Sequence, residues 1–416
     1  MRFFLPTSLL GFIYACCSFL FSSTLPTIEP IAQEGKGILE KQEGHYVLYV
    51  SGTPYAMGYQ HGVLLKELIQ QNVQQFIYKN LQASGERSKD FLEQLPNLCH
   101  HTPPDFLEEI RGMAEGAELP FNDLLILNLF PEMFHCSGIT AHPPVTADGK
   151  LYHVRVLDYA IGKGIQNSAV LIVAAPEGKI PFVNLSYAGF IGSVTGMNQK
   201  GIAIGEIGGQ GYGDWNGVPM ACLMRLILER ANSLEEAKAI LENSPRTCEY
   251  YYIISDGNQE KSLGVYATSQ QIFWIEPGSH YAMFAPKISE GPLLSFFSDC
   301  LIFNEPYQCR VLDAQQRVIA LAHQQPPHCL LMTGFPHPER YPHLVERVLS
   351  QIGHIDAPAL MQIIRRPVAS KSNLHNAIFL PSERIMWVSH AGSKGEPACD
   401  QPYIKFDLKD MKYINH

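Results

Sequence analysis

The sequence predicts an α+β protein in which two packed sheets lie between helical layers. Three observations predict it. Early in the chain, Met57, Leu64, Leu68, Val73, Phe76 and Leu81 recur at roughly helical spacing. After Asp158 the pattern changes to short β-branched runs bounded by Gly or Pro, at 169–174, 181–187 and 201–207. Two helical segments, 218–231 and 233–242, then precede more strand-like runs at 250–255, 263–266 and 272–275. Helices early and at 341–364, with strands on either side of a helical pair, fit that layered arrangement.

Taken in order, the chain opens with Arg2 followed by an apolar run to about residue 23, the pattern of a secretory signal peptide. Pro6 and the polar residues interrupt that run, which argues against a retained membrane span. Export is therefore expected. Ile13-Tyr14-Ala15-Cys16 is similar to a lipoprotein cleavage box, so membrane attachment through the N-terminus is the alternative. Residues 24–44, with Pro, Gly and charges, read as a linker, and 45–50 as a strand ending at Ser51-Gly52-Thr53-Pro54. A helix follows to about Leu81. Pro103-Pro104 opens another, with Phe106, Leu107, Ile110 and Met113 on one face. Gly116 and Pro120 punctuate it, and the apolar run 121–130 leads into His135-Cys136. Residues 24–135 thus form a mostly helical segment ahead of a core at 136–416.

Around Cys136 the pattern is that of a hairpin. Two β-like runs flank Ala147-Asp148-Gly149-Lys150, and Asp-Gly tolerates the positive φ that such turns need. Cys136 then starts one strand, and Arg155 and Asp158 lie on and just past its partner. A guanidinium beside a thiol favours the nucleophilic thiolate, and a carboxylate beside the guanidinium would fix its direction. The bland alternative is a buried Cys with a surface ion pair between Arg155 and Asp158 worth under about 1 kcal/mol.

This stretch, with Tyr55-Ala-Met57-Gly58-Tyr-Gln-His-Gly62 before it and Gly196-Met-Asn198-Gln-Lys-Gly201-Ile-Ala-Ile after it, resembles the acyl-coenzyme A:6-aminopenicillanic acid acyltransferase family. Those are autoproteolytic cysteine acyltransferases and hydrolases of the N-terminal-nucleophile (Ntn) superfamily. The resemblance implies a four-layer αββα sandwich and self-cleavage at His135–Cys136 by an N-to-S acyl shift. A glycine often precedes the family cysteine; His135 stands there here. The freed α-amine, with a pKa of about 8, would serve as the thiol's base. It also implies that a position just after the Gly201–Ile204 strand helps form an oxyanion hole, which brings Gly208 and Gly209 into view. The family's later Thr-Asn-like motif is not found at about 276–300. Asn373, His375 and Asn376 are polar residues at the mouth of an apolar strand, either site residues or strand caps.

Composition excludes other classes. The chain has 416 residues, 46% of them hydrophobic and 17% charged, ample for a large core. A formal charge of −9 with no Lys/Arg run gives no footprint for nucleic acid. The glycine run at 205–213 lacks the Lys-Ser/Thr of a P-loop. Leu185-Ser186-Tyr-Ala-Gly189 lacks the first Gly of a serine-hydrolase elbow. Ten cysteines show no C-x-x-C spacing, and Cys99-His100-His101 beside Pro103-Pro104 reads as a solvated loop rather than a metal site. No metal or organic cofactor is implied. The expectation is a cysteine amidohydrolase or acyltransferase that cleaves a small-molecule amide through a thioester on Cys136. The alternative is a non-enzymatic exported binding protein that keeps the Ntn fold.

Overall fold

A computed structural model describes residues 27–81, 86–129, 136–159, 161–209, 215–279, 282–284, 301–305, 307–312, 318–334 and 340–413. The signal segment 1–23, His135 and the far end of the glycine run lie outside them.

The chain enters through strands β1 (Ile28–Glu34), β2 (Gly37–Gln42) and β3 (His45–Gly52). Of the stretch 24–44, the described residues from 27 on are largely sheet and not a linker. Their charged and polar side chains suit an edge, since most of β1 is exposed. Thr53 caps helix α1 (Pro54–Leu64), accepting from Ala56 N at 3.3 Å, with Pro54 in the first turn. The single helix expected to Leu81 is broken into α1, α2 (Lys66–Asn72) and a π-helical stretch Val73–Leu81. Helix α3 (Glu86–His101), which contains Pro96, precedes α4 (Pro104–Ala117) and α5 (Phe121–Leu129).

Strands β4 (Ser137–Ala141) and β5 (Tyr152–Asp158) form the expected antiparallel pair. Then come β6 (Ala169–Pro176), β7 (Phe182–Tyr187), β8 (Thr195–Asn198) and β9 (Ile202–Gly208), and helices α6 (Met220–Arg230) and α7 (Leu234–Asn243). Ser233 caps α7 by accepting from Glu236 N at 3.2 Å, while the Glu236 carboxylate accepts from Asn232 N at 2.8 Å. That is a capping box reaching back one residue further than usual. Strands β10 (Tyr250–Asp256), β11 (Lys261–Ala267) and β12 (Ile272–Ile275) follow. The short strands β13 (Ala282–Phe284), β14 (Leu301–Glu305), β15 (Gln308–Leu312) and β16 (Val318–His323) make a small separate sheet. Strand β17 (Cys329–Thr333) leads to α8 (Arg340–Leu349) and α9 (Ala357–Ile363). The chain closes with β18 (Asn373–Leu380), β19 (Ile385–His390) and β20 (Ile404–Asp407).

Two larger sheets result. One has ten strands in the order β1-β2-β3-β6-β7-β8-β9-β10-β11-β12, and the other six in the order β17-β4-β5-β18-β19-β20. The period-2 alternation of each strand divides its side chains between two cores. In β3, Leu48 and Val50 face a helical layer with Met57, Phe106 and Met113, while Val47 and Tyr49 join a different cluster. That second cluster, with Leu171, Val183, Met197, Phe379, Met386 and Phe406, draws on both sheets and so lies between them. A third packs Ile139, Val154, Val156 and Ile378 against Tyr341, Leu344, Val348 and Leu360 of α8 and α9. Three cores between four layers make the αββα sandwich that the resemblance implies.

The N-terminal helices are bound into this body. Arg225 on α6 is buried and paired with Glu109 on α4 at 2.6 Å and with Glu229 at 2.9 Å. Helices α1 and α4 meet through facing glycines: a Cβ on Gly58 would lie 1.8 Å from the Glu109 carbonyl oxygen, and one on Gly112 would lie 2.1 Å from that of Tyr55. Backbone cannot yield there, so Gly58→Ala should lower the melting temperature by several degrees, a loss of about 3 kcal/mol for overpacking. Circular dichroism melts of the two proteins check this; equal melting temperatures would mean that the helices slide apart at no cost.

Candidate active site

Cys136 lies at the head of β4 and is fully buried. Its N–H donates across the sandwich to the Ile207 carbonyl at 3.2 Å, and its own carbonyl accepts from Gly334 N at 2.8 Å. Gly334 directly follows β17, and a Cβ there would sit 3.1 Å from Ile207 O and 3.2 Å from Cys136 N. A side chain there would press on both backbones and loosen this clasp by a few tenths of an ångström.

Register places Arg155 opposite Gly138 on β4, and Asp158 opposite Asn373 on β18. Arg155 is fully buried and extends toward the other sheet, where its Nη2 lies 3.0 Å from Glu206 Oε2 on β9. Its Nη1 donates to the Val156 carbonyl at 2.5 Å. Gly138 and Gly205 leave room for the crossing: a Cβ on Gly205 would be 3.0 Å from Arg155 Cδ. Asp158 has a different partner. Its carboxylate pairs with Arg340 at the start of α8 and accepts from Ser370 N at 3.0 Å. The structure thus brings Cys136, Arg155 and Asp158 together but corrects their pairing. Glu206, not Asp158, directs the Arg155 guanidinium, and Asp158 anchors α8 and the 368–370 turn.

The thiol is also not the thiolate that its neighbour suggests. Burial pushes the Cys136 thiol up to about 12. Arg155 pulls it down, the Glu206 and Asp158 carboxylates push it up, and a hydrogen bond from the Asp158 backbone N–H favours the anion. Desolvation outweighs one guanidinium because Arg155 is already matched by Glu206. Glu206 itself is raised to about 7 by burial, against the pull of Arg155 and of the Gly208 N–H. Among the described residues its Oε1, like Arg155 Nε, has no hydrogen-bond partner.

Gly208 ends β9 and Gly209 follows it. The Gly208 N–H is turned to the Glu206 carboxylate, which argues against a free oxyanion donor there. Gly209 packs on the Glu249 carbonyl, where a Cβ would come within 2.1 Å. Asn373 and Asn376 bond each other at 2.9 Å; Asn373 also donates to Leu157 O and accepts from Cys399 N. They stitch strands together. His375 instead meets the Tyr187 hydroxyl at 2.8 Å. His101 of the Cys99-His100-His101 group bonds Asn216 at 2.8 Å.

Beside the site lies a narrow cavity of about 60 Å³ lined by Phe76, Leu127, Leu157, Ile165, Tyr187 and Phe190, among others. The strand reading passed over Glu206, although a charge inside the apolar run Ile202–Ile207 was its signal. Arg340 fell in a stretch read only as loop and helix, and Tyr187 in a strand with no motif.

The family model described as acyl-coenzyme A:6-aminopenicillanic acid acyl-transferase matches residues 146–282, which contain Arg155, Asp158, Glu206 and Gly208. The resemblance read from the sequence is borne out. Protein dcd1B of Dictyostelium discoideum is 28% identical over 276 residues, 59% of this chain and 55% of the relative. The N-acylethanolamine-hydrolyzing acid amidase of Oryctolagus cuniculus is 30% identical over 171 residues, 39% of this chain and 47% of the relative. Acid ceramidase of Rattus norvegicus is 30% identical over 208 residues, 42% and 50%. The chain spans about half the length of these curated relatives. Among solved structures, the Caenorhabditis elegans ortholog of N-acylethanolamine-hydrolyzing acid amidase aligns with a TM-score of 0.40 and 14% identity, covering 59% of this chain and 93% of that one.

The signs of the charges around Cys136 fix an outcome. Arg155 lowers the thiol pKa and Glu206 raises it, so at pH 8 Arg155→Met should slow alkylation of Cys136 by iodoacetamide, and Glu206→Gln should speed it. The wild-type rate should climb less steeply above pH 7 than that of Glu206→Gln, because Glu206 loses its proton there. Timed peptide mapping reads all three rates; a slower Glu206→Gln would mean that the carboxylate acts only by holding Arg155.

Proposed function

We propose that this chain is a cysteine amidohydrolase or acyltransferase that cleaves an amide C–N bond through a thioester on Cys136, after cutting its own chain at His135–Cys136. The observation that carries it is the convergence on Cys136 Sγ of the Arg155 guanidinium and the Asp158 backbone N–H, at the head of a strand.

In the uncut chain Sγ adds to the His135 carbonyl carbon, the peptide nitrogen leaves as the Cys136 amine, and water hydrolyses the resulting thioester. That amine is the present Cys136 N, already bonded to the Ile207 carbonyl at 3.2 Å, which would hold it in place. With a pKa of about 8 it takes the thiol proton as Sγ adds to substrate, then returns it to the departing amine. Water or a second amine releases the acyl group from sulfur. Arg155 favours the thiolate during these steps, and Glu206 keeps Arg155 in position. Two relatives are named for N-acylethanolamine hydrolysis and for ceramidase activity. The lining of Phe76, Leu127, Ile165 and Phe190 is apolar, as an acyl chain requires, and a cavity of about 60 Å³ has to widen to take one. Export, directed by residues 1–23, belongs to the same proposal.

Purified protein should run as two fragments, with the larger one beginning at Cys136 by Edman sequencing, and Cys136→Ala should stay whole. Iodoacetamide should block turnover of an N-acyl amide in proportion to Cys136 alkylation, and at substoichiometric reagent Cys136 should be the first cysteine labelled in the cut protein. Any other N-terminus, or full activity with Cys136 alkylated, would sink the proposal.

A further inference from the structure

Three buried polar side chains from three strands form a chain that ends at the cavity. Thr195 on β8 places Oγ1 2.9 Å from His375 Nε2, and His375 on β18 places Nδ1 2.8 Å from the hydroxyl of Tyr187 at the end of β7. The two rings stack, with centroids 5.9 Å apart and planes 20° apart. Tyr187 lines the cavity, and its phenol interacts electrostatically with both Cys136 and Arg155.

His375 is fully buried, and burial, with Arg155 and then His390 nearby, holds it well below the ordinary histidine range. A neutral ring has one donor and one acceptor nitrogen, so the chain has two possible directions. If Tyr187 donates to Nδ1, then Nε2–H donates to Thr195, and the spare hydroxyl proton belongs to Thr195, which has no exposed surface. If Thr195 donates to Nε2, then Nδ1–H donates to the phenol oxygen, and the spare proton is that of Tyr187. A buried donor without an acceptor is costly, whereas one at a cavity is satisfied by whatever occupies it. The second direction is favoured.

We propose that Tyr187 is a substrate-binding residue whose phenol O–H donates to the carbonyl oxygen of the scissile amide, and that His375 and Thr195 are positioning residues that turn its proton into the cavity. The proposal rests on the amide-cleaving reading above. It supplies a polar donor where the Gly208 N–H is engaged with Glu206 and the walls are mostly apolar. The bond strengthens once Sγ has added and the oxygen carries negative charge.

Tyr187→Phe removes one oxygen and should lower kcat/KM for a fluorogenic N-acyl aminocoumarin about 100-fold, most of it in kcat. Thr195→Val should lower kcat about tenfold and Thr195→Ser restore it, with melting temperatures followed in parallel. A purely structural hydroxyl would move the melting temperature and leave kcat alone. Binding of the same amide to Cys136→Ala, with and without Tyr187→Phe, is read by calorimetry and should differ about threefold. Wild-type kcat in Tyr187→Phe, equal affinities in the Cys136→Ala pair, or a Thr195→Ser no better than Thr195→Val would overturn the proposal. An inactive wild type whose Cys136→Ala form still binds the amide through the phenol would overturn the enzymatic reading and sustain the donor.

Discussion

The buried ion pair between Arg155 and Glu206 is the constraint around which the site is arranged. Each charge would be expensive alone inside the sandwich, and removing one partner of such a pair typically costs about 3–5 kcal/mol. The pair joins the two sheets, since Arg155 comes from β5 and Glu206 from β9. Close approach of the sheets is therefore required, and Gly138, Gly205 and Gly334 supply it by having no Cβ to hold them apart. Cys136 N and Ile207 O meet across the same gap.

A second pair does separate work. Asp158 and Arg340 tie the end of β5 to the first residue of α8, and Arg340 also donates to Val368 O at 2.6 Å. The outer helical layer is thereby fixed to the strand that carries Arg155. With Arg155 matched to Glu206 and Asp158 to Arg340, little net positive charge is left for the thiol. Burial then decides its state. Under the proposed self-cleavage, chemistry at Cys136 would depend on the amine that opening of the chain creates.

Much of this was legible in one dimension. The strand at 45–50, the short β-branched runs that became β6 and β9, and the Asp148-Gly149 turn are local signals, and each appears where its pattern lies. Cys136 and Arg155 fall in one hairpin, so their meeting needed only the register. Arg155's partner was not legible, because Glu206 lies on the other sheet and is linked to Arg155 by no local pattern. Asp158, three residues away in sequence, was the nearer and wrong choice. The 24–44 stretch was missed because an exposed edge hairpin, with Gly35 at positive φ in its turn, has the composition of a linker. Helix α3 was hidden by Pro96, and β17 by its short length among loops.

Strand β3 runs parallel to β6, with Tyr46 opposite Val170 and Gly52 opposite Pro176. A parallel neighbour cannot be reached by a tight turn, so the ladder joins segments from either side of residue 136. Were the chain cut there as proposed, β3 would stay with one fragment and β6 with the other, each keeping one side of this ladder. The cut changes the molecularity of folding rather than its contacts. Before it, the halves meet at the effective concentration set by their tether; after it, a separated pair must find each other from dilute solution. Under the proposed self-cleavage, the ladder would have to be built before the bond is broken.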